Sequence, residues 1–359
     1  MARIAILSTV NFKHMTVLTL YTDFLDRNEI PYDVIYIDKY GESEENNAVD
    51  TYSYQLSINR EWNFLRKLRR YYGFHSFAKK IIKGKDYDFL IVWNSFTAIM
   101  FIDLLVLKFK GKYAFNIRDY NFEKIPFVYF LMKLIIKKSS FTTISSYGFK
   151  KFLPKHEYLS IHSFNENILL NIEPRENMSR KSLPIRISFI GYVRFFENDK
   201  KLIDLLGNDN RFIVQFFGEG AQYLKEYAED NNYKNVICVG RFKPSDTSSF
   251  LAITDIVNNL YGYGKIELDT AISIKSYYAA YLNIPILVFK DTYMEEATRG
   301  FNFICDLESQ SFPDDLYNWY TSINHDMLKL NCNQYLVEAK QENTYFKSIL
   351  EKTIDCKEE

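Results

Sequence analysis

The sequence has few cysteines, and none stands at a spacing typical of a metal or redox site. Cys238, Cys305, Cys332 and Cys356 form no Cys-x-x-Cys pair. This argues against the common zinc motifs and against a disulfide scaffold. We expect four free thiols in a reducing cytoplasm.

Two nucleotide-binding signatures are also missing. No G-x-G-x-x-G follows the first predicted strand, where STVNFKHM stands, and G-x-x-x-x-G-K-[ST] does not occur. Nicotinamide, flavin and P-loop chemistry therefore lose support. The N-terminus, MARIAILSTVNF, is typical of a strand rather than a signal peptide. The longest apolar stretch, residues 89–109, contains Asp103 and Lys108 and divides into a strand and an amphipathic helix.

What the chain does contain is typical of a globular protein of about two domains. It has 359 residues, 47% of them hydrophobic and 25% charged. Phe and Tyr are abundant, at 30 and 28. Aromatics beyond the needs of a core suggest surfaces that stack on sugars or bases, or that touch lipid.

The net charge is zero, but its distribution is uneven. Residues 61–155 carry 19 basic and 6 acidic side chains, and the second half of the chain is acidic. We therefore expect the first half to meet an anionic partner. The pair Asp86 and Asp88 could bind a metal, but it precedes its strand, so a turn is favoured.

Apolar strand patterns alternate with helical patterns along the whole chain. This order predicts an α/β protein with two doubly wound parallel sheets, two Rossmann-like domains facing across a cleft. The predicted boundaries are 1–165 for the first domain, 166–184 for a polar linker, 185–330 for the second domain and 331–359 for a helical tail. Predicted strands of the first domain are Arg3–Ser8, Asp33–Ile37, Phe89–Trp93, Tyr113–Ile117 and Phe141–Ser145, and those of the second are Ile187–Val193, Phe212–Phe217, Asn235–Val239, Ile256–Leu260 and Ile286–Phe289.

The first strand of the second domain leads into Gly191 and Arg194, and a helix is predicted to open near Asp199 with Lys200 and Lys201 in its first turn. Cations are unfavourable at a helix N-terminus unless an anion binds there. A diphosphate would satisfy both the lysines and the backbone N–H groups. A solvated basic turn is the alternative.

Two further strands of this domain end in glycines, which permit close approach of a ligand to the backbone. Gly218 and Gly220 follow one strand, and Gly262 and Gly264 follow another. The second loop continues to Glu267 and Asp269, whose carboxylates could accept hydrogen bonds from sugar hydroxyls. A plain loop is nearly as good an interpretation.

The order of these pieces resembles the donor-binding domain of GT-B fold glycosyltransferases, particularly the family 4-like enzymes of bacterial capsule and exopolysaccharide clusters. The resemblance covers about residues 185–296, through GYVRFF, GEG, NVICVGRF, NNLYGYG and IKSYYAAYLNIPILV. A fainter part, FNIRDYNF and FTTISSYGFKKFLP, resembles the acceptor domain. Lys275 matches the lysine of the family's Lys-x-x-Glu segment, whereas Tyr278 replaces its ribose-binding glutamate and puts ribose recognition in question.

The resemblance implies a hexosyltransferase that moves a sugar from a nucleotide sugar, with UDP the expected nucleotide, without a metal or a further cofactor. The implied donor-binding residues are Gly191, Arg194, Lys200, Lys201, Gly218, Gly220, Arg241, Gly262, Tyr263, Gly264, Asp269, Lys275 and Tyr278.

On the acceptor side, Arg118 and Asp119 follow the strand Tyr113–Ile117. Asp119 is the predicted general base, and His14, after the first strand, is the second choice. A surface salt bridge of Arg118 is the alternative.

The basic segment 61–155 interleaves lysines and arginines with aromatics, which favours binding to an anionic membrane surface. We therefore expect a cytoplasmic protein at the inner face of the plasma membrane, with a lipid-linked glycan as acceptor. Nucleic acid could use the same charge, but no such module is recognised. A non-catalytic GT-B subunit that binds a partner transferase, and a nucleotide-sugar epimerase, are the alternative functions.

Overall fold

The computed structural model describes residues 3–15, 17–41, 44–56, 64–119, 125–163, 172, 174 and 183–355. Its contacts divide the chain into two compact units, Met1–Ser163 with Gln341–Glu359, and Phe164–Lys340. Most of the predicted linker 166–184 lies outside the described residues.

The first unit is built on a parallel sheet in the order β3-β2-β1-β4-β5-β6-β7. Every residue of β1, β2, β4, β5 and β6 is buried, as continuous apolar runs covered on both faces require. Its strands are β1 (Ile4–Ser8), β2 (Tyr32–Asp38), β3 (Thr51–Gln55), β4 (Phe89–Trp93), β5 (Tyr113–Ile117), β6 (Phe141–Ile144) and β7 (Leu159–Ser160). Its helices are α1 (Thr19–Arg27), α2 (Phe64–Lys85), α3 (Ser95–Met100) and α4 (Pro126–Lys138), with a π-helical turn at Leu104–Lys108 and 3₁₀ turns at Phe12–His14 and Tyr147–Lys151.

The second unit has a parallel sheet in the order β10-β9-β8-β11-β12-β13. Its strands are β8 (Ile185–Ile190), β9 (Phe212–Phe217), β10 (Val236–Val239), β11 (Ile256–Asn258), β12 (Ile286–Phe289) and β13 (Asn302–Cys305). Its helices are α5 (Phe196–Leu206), α6 (Ala221–Asp230), α7 (Thr247–Ala252), α8 (Ile266–Asp269), α9 (Ile274–Leu282), α10 (Tyr293–Ala297), α11 (Phe312–Ser322) and the start of α12 (His325–Asp355), with a 3₁₀ turn at Pro244–Asp246.

The predicted doubly wound α/β architecture is confirmed in both units. Both sheets follow the Rossmann order, in which the chain starts in the middle, moves to one edge and then reverses. The described residues form no helix that is both long enough and apolar enough to cross a bilayer.

The C-terminal region differs from the predicted tail. A single helix, α12, runs from His325 to Asp355, and its residues from Gln341 onward group with the first unit. There Phe346, Leu350 and Ile354 are buried in the core around α1 and β1. These apolar contacts make the end of the chain part of the first unit's core.

Candidate functional site

The second unit offers a ligand site at the point in its sheet where the strand order reverses. Strands β8 and β11 are neighbours there, and the chain leaves them toward opposite sides. The crevice beyond the carboxyl ends of two such strands is the usual ligand site of an open α/β sheet. The segments that follow these strands begin at Gly191 and Asn259.

Three predicted glycines shape this edge of the sheet. Gly191, Gly218 and Gly220 all have positive φ angles, of 132°, 142° and 95°. A Cβ atom on Gly218 would lie 1.8 Å from the Gly191 carbonyl oxygen, and one on Gly220 would lie 2.2 Å from that of Val193. The glycines therefore let the loops after β8 and β9 pack backbone against backbone.

Lys275 brings a buried amine to the same edge. It lies in the first turn of α9, is 7% exposed, and its Nζ donates a hydrogen bond to the Tyr261 hydroxyl at 2.5 Å. The ammonium also lies over the rings of Phe189 and Tyr261, at 4.3 and 4.8 Å from their centroids. A Cβ on Gly191 would lie 3.7 Å from Nζ. The amine therefore lies beside the loop after β8.

Arg194 adds a second cation next to this network. Its guanidinium lies 5.0 Å from the ring centroid of Phe195, which in turn stacks on Tyr261 at 4.7 Å. Burial alone would raise the pKa of the Tyr261 phenol, but the charge and hydrogen bond of Lys275, the hydrogen bond of Ser273 and the charge of Arg194 together lower it. The edge of the sheet is thus electropositive and suited to an anion.

Lys200 and Lys201 do not occupy the predicted position. The prediction that they stand in the first turn of α5 is wrong, because the helix begins at Phe196 and its first turn carries Glu197 and Asp199. Lys200 lies 3.6 Å from Glu197, and Lys201 forms an ion pair with Glu308. The argument that two cations at a helix N-terminus require an anion therefore does not apply to these lysines.

The loop after β11 is held by its own residues. The backbone N–H of Gly264 donates to Oδ1 of Asp269 at 2.8 Å, and Tyr263 is exposed beside Phe289. Gly262 and Gly264 have φ angles of 117° and 80°. Residues of this loop, Lys201 and the ends of β12 and β13 line a cavity of about 500 Å³. Asp269 therefore stabilises the conformation of this loop by accepting the Gly264 hydrogen bond.

Tyr278 lies in the core of the second unit, and Arg241 lies at its surface. Tyr278 is 5% exposed within the apolar core, and burial raises the pKa of its phenol to about 12. Tyr278 therefore belongs to the core-facing side of α9, which agrees with the helical spacing of the tyrosines in this segment. Arg241 is exposed in the loop after β10, the edge strand of the sheet.

In the first unit, the predicted acceptor residues lie at separate strand ends. Asp119 is exposed two residues beyond β5, and the half-buried Arg118 accepts a hydrogen bond from Ser145 through its carbonyl oxygen. His14 is exposed in the 3₁₀ turn after β1, with Nε2 3.1 Å from the Tyr40 hydroxyl. The structure does not record a contact between His14 and Asp119 among the described residues.

Sequence reasoning missed the buried polar groups of both units. Asp199 is completely buried in the first turn of α5, and Tyr261 is the hydrogen-bond partner of Lys275. In the first unit, Ser95 Oγ and Asn116 Oδ1 are buried without a hydrogen-bond partner among the described residues. Ser95 and Tyr261 follow strands closely, which is a signal that the sequence offers, whereas Asn116 lies within β5 and Asp199 within α5, and their burial depends on tertiary packing.

The described residues contain no group of three or more His, Cys, Asp or Glu side chains placed to hold a metal ion. No protein-family model matches the sequence, and neither does any curated protein.

Solved structures share the fold at low sequence identity. Sucrose-phosphate synthase from Thermosynechococcus elongatus is 9% identical, with a TM-score of 0.70 over 99% of this chain and 100% of that one. HepE of Anabaena in complex with UDP is 11% identical, with a TM-score of 0.68 over 98% and 100%. The lipopolysaccharide outer core galactosyltransferase WaaB is 13% identical, with a TM-score of 0.62 over 99% of each chain. The chain therefore has the fold of the GT-B glycosyltransferases, as predicted.

Proposed function

We propose that the protein is a glycosyltransferase that moves a sugar from a nucleotide-sugar donor, a UDP-sugar in the first instance, to a lipid-linked saccharide. The observation that carries this proposal is the buried Lys275 amine beside Gly191, at the point where the sheet of the second unit reverses. HepE, which shares the fold, was solved with UDP and with UDP and glucose. The capsule or exopolysaccharide setting rests on the sequence resemblance alone.

The chemistry of such a site is mainly electrostatic. When the bond between the sugar and the diphosphate breaks, negative charge develops on the departing nucleoside diphosphate. Lys275, Arg194 and the N-terminus of α9 would stabilise that charge in a partly dehydrated place, where fixed charges act strongly. We propose that these groups supply the stabilisation without a metal ion.

Asp119 remains our proposed general base for the acceptor hydroxyl, with His14 as the second choice. Both follow strands of the first unit at their carboxyl ends, and both are exposed to an incoming acceptor. Asp119 would accept the proton of the attacking hydroxyl while the new glycosidic bond forms.

We further propose that α4 places the protein on an anionic membrane surface, from the cytoplasmic side. Phe127 and Phe130 are 69% and 63% exposed on this helix, and Lys133 and Lys137 continue the same face at helical spacing. Apolar side chains beside lysines suit the boundary between acyl chains and anionic headgroups. Parts of the 61–155 segment, residues 61–63 and 120–124, lie outside the described residues.

Acceptor-dependent release of nucleoside diphosphate tests the proposed reaction. The wild type would be incubated with UDP-sugars and with lipid-linked saccharides extracted from membranes, and compared with Asp119→Asn. We expect release that requires the lipid extract and that falls at least 100-fold in the variant. Release that is independent of the extract would instead indicate hydrolysis of the donor, and conversion of the donor without any release of nucleoside diphosphate would favour epimerisation.

A further inference from the structure

Asp199 is a buried carboxyl group at the reversal point of the second sheet. Its side chain is 0% exposed, and Oδ1 accepts a hydrogen bond from Asn258 Nδ2 at 3.3 Å, at the end of β11. Oδ2 is buried and has no hydrogen-bond partner among the described residues. Burial destabilises the charged form of a carboxyl group that has one oxygen without a hydrogen-bond partner, so such a group readily takes up a proton.

The charges around Asp199 come from several elements. The positive charge of Lys275 on α9 favours the charged form of Asp199. Tyr261, in the loop after β11, is the hydrogen-bond partner of that lysine, and the charge of Asp199 disfavours the thiolate of Cys238 on β10. On α5 itself, Glu197 is exposed and lies near Lys200, whose ammonium is over the ring of Tyr227 on α6. Lys275 is therefore the cation shared by Asp199 and by an incoming anion.

Burial, against the smaller opposing effects of Asn258 and Lys275, raises the pKa of Asp199 to about 7. The carboxyl group is therefore divided between its two protonation states near neutral pH. A diphosphate that binds to Lys275 would add negative charge nearby, and a like charge disfavours the carboxylate.

We propose that Asp199 is a positioning residue that couples the binding of a nucleotide sugar to the uptake of a proton. The charge of ionised Asp199 partly offsets that of Lys275, whereas protonated Asp199 leaves the full charge of the lysine to the diphosphate. The inference rests on the proposed function, because it assigns the proton linkage of the same site.

The linkage has a definite sign. Since binding favours the protonated form, affinity is highest below pH 7 and falls as the pH rises above it. If binding raises the pKa of Asp199 by one, the dissociation constant increases about tenfold across the transition, and about half a proton is taken up per ligand at pH 7.5.

Isothermal titration calorimetry of the full chain with UDP-glucose, and with GDP-mannose as a second probe, tests this. A nucleotide sugar is the right probe because its diphosphate, unlike that of free UDP, has no ionisation near pH 7. Titrations at pH 7.5 in phosphate and in Tris, whose heats of ionisation differ, give the number of protons taken up. The variants are Asp199→Asn, which keeps the shape of the side chain, and Glu197→Gln, which removes an exposed carboxylate from the same turn.

We expect uptake of about half a proton in the wild type and in Glu197→Gln, and none in Asp199→Asn, whose affinity no longer falls with pH. Binding without proton uptake, or with equal uptake in Asp199→Asn, would overturn the inference and leave the proposed function intact. Should Asp199→Asn fail to fold, the wild-type affinity between pH 6 and 9 decides, since a flat profile overturns the inference as well. Binding of neither probe would overturn the proposed function itself.

Discussion

Gly218 gives the sharpest test of how the candidate site is built. Its φ angle is 142°, and a Cβ there would lie 1.8 Å from the carbonyl oxygen of Gly191 and 2.7 Å from its carbonyl carbon. Both atoms belong to the backbone and cannot rotate away. In Gly218→Ala the loop after β8 must therefore move by more than 1 Å, a distance estimated from normal van der Waals contact.

The cost follows from three effects. Overpacking costs about 1–3 kcal/mol, an unfavourable backbone conformation about 1–3, and loss of the hydrogen bond from Gly191 N to Phe217 O about 1. We expect Gly218→Ala to lower the free energy of unfolding by about 3–7 kcal/mol, measured by urea denaturation.

Gly240→Ala is the matched control for this substitution. A Cβ on Gly240 meets no atom within 4 Å, and this glycine follows the neighbouring strand β10. We expect the control to change stability by less than about 1 kcal/mol. If Gly218→Ala were as stable as Gly240→Ala, the backbone packing described for this edge would be incorrect.

Three other substitutions test separate groups. Lys275→Met should weaken nucleotide binding about 10- to 100-fold by calorimetry, since a charge-assisted contact is lost, whereas Lys225→Met, on the exposed face of α6, should not. Asp199→Asn should raise the thermal midpoint at pH 8 but not at pH 4. Because the native pKa of Asp199 is about 7, the wild type loses up to about 4 kcal/mol of stability as the pH rises from about 4 to 7. A pH-independent difference between variant and wild type would contradict this. Glu342→Gln should lower the free energy of unfolding by about 1 kcal/mol at pH 7. Burial opposes ionisation of Glu342, but its 2.5 Å contact with His162 and further hydrogen bonds lower the pKa of this carboxyl group. The loss of stability should therefore shrink as the pH falls through 4, and a loss that persists at pH 3 would refute the prediction.

The fold was largely predictable because the central strands are buried on both faces. Phe89–Trp93, Tyr113–Ile117, Phe212–Phe217 and Ile286–Phe289 are continuous apolar runs, and their predicted bounds match the observed ones. Thr51–Gln55 was not predicted as a strand. Its sequence, TYSYQ, is half-exposed at the sheet edge and has no apolar run to indicate it.

The start of α5 is not predictable from the sequence because it has no capping signal. Phe195 occupies the N-cap position and makes no side-chain capping bond, so the sequence offers only the later polar residues as a start. By its sequence pattern Asp199 therefore marks a helix start, whereas in the structure it is a buried group within the first turn. Single buried polar residues of this kind follow from tertiary packing, which no local pattern encodes.

A nucleotide thermal-shift panel tests the central claim most directly. UDP, GDP, CMP and dTDP would be added to the wild type, to Arg194→Ala and to the control Lys225→Met. The account predicts that one nucleotide raises the thermal midpoint of the wild type and of Lys225→Met, and that Arg194→Ala loses most of this rise, because a ligand that binds the folded state stabilises it. No rise with any of the four nucleotides would contradict a donor site in the second unit.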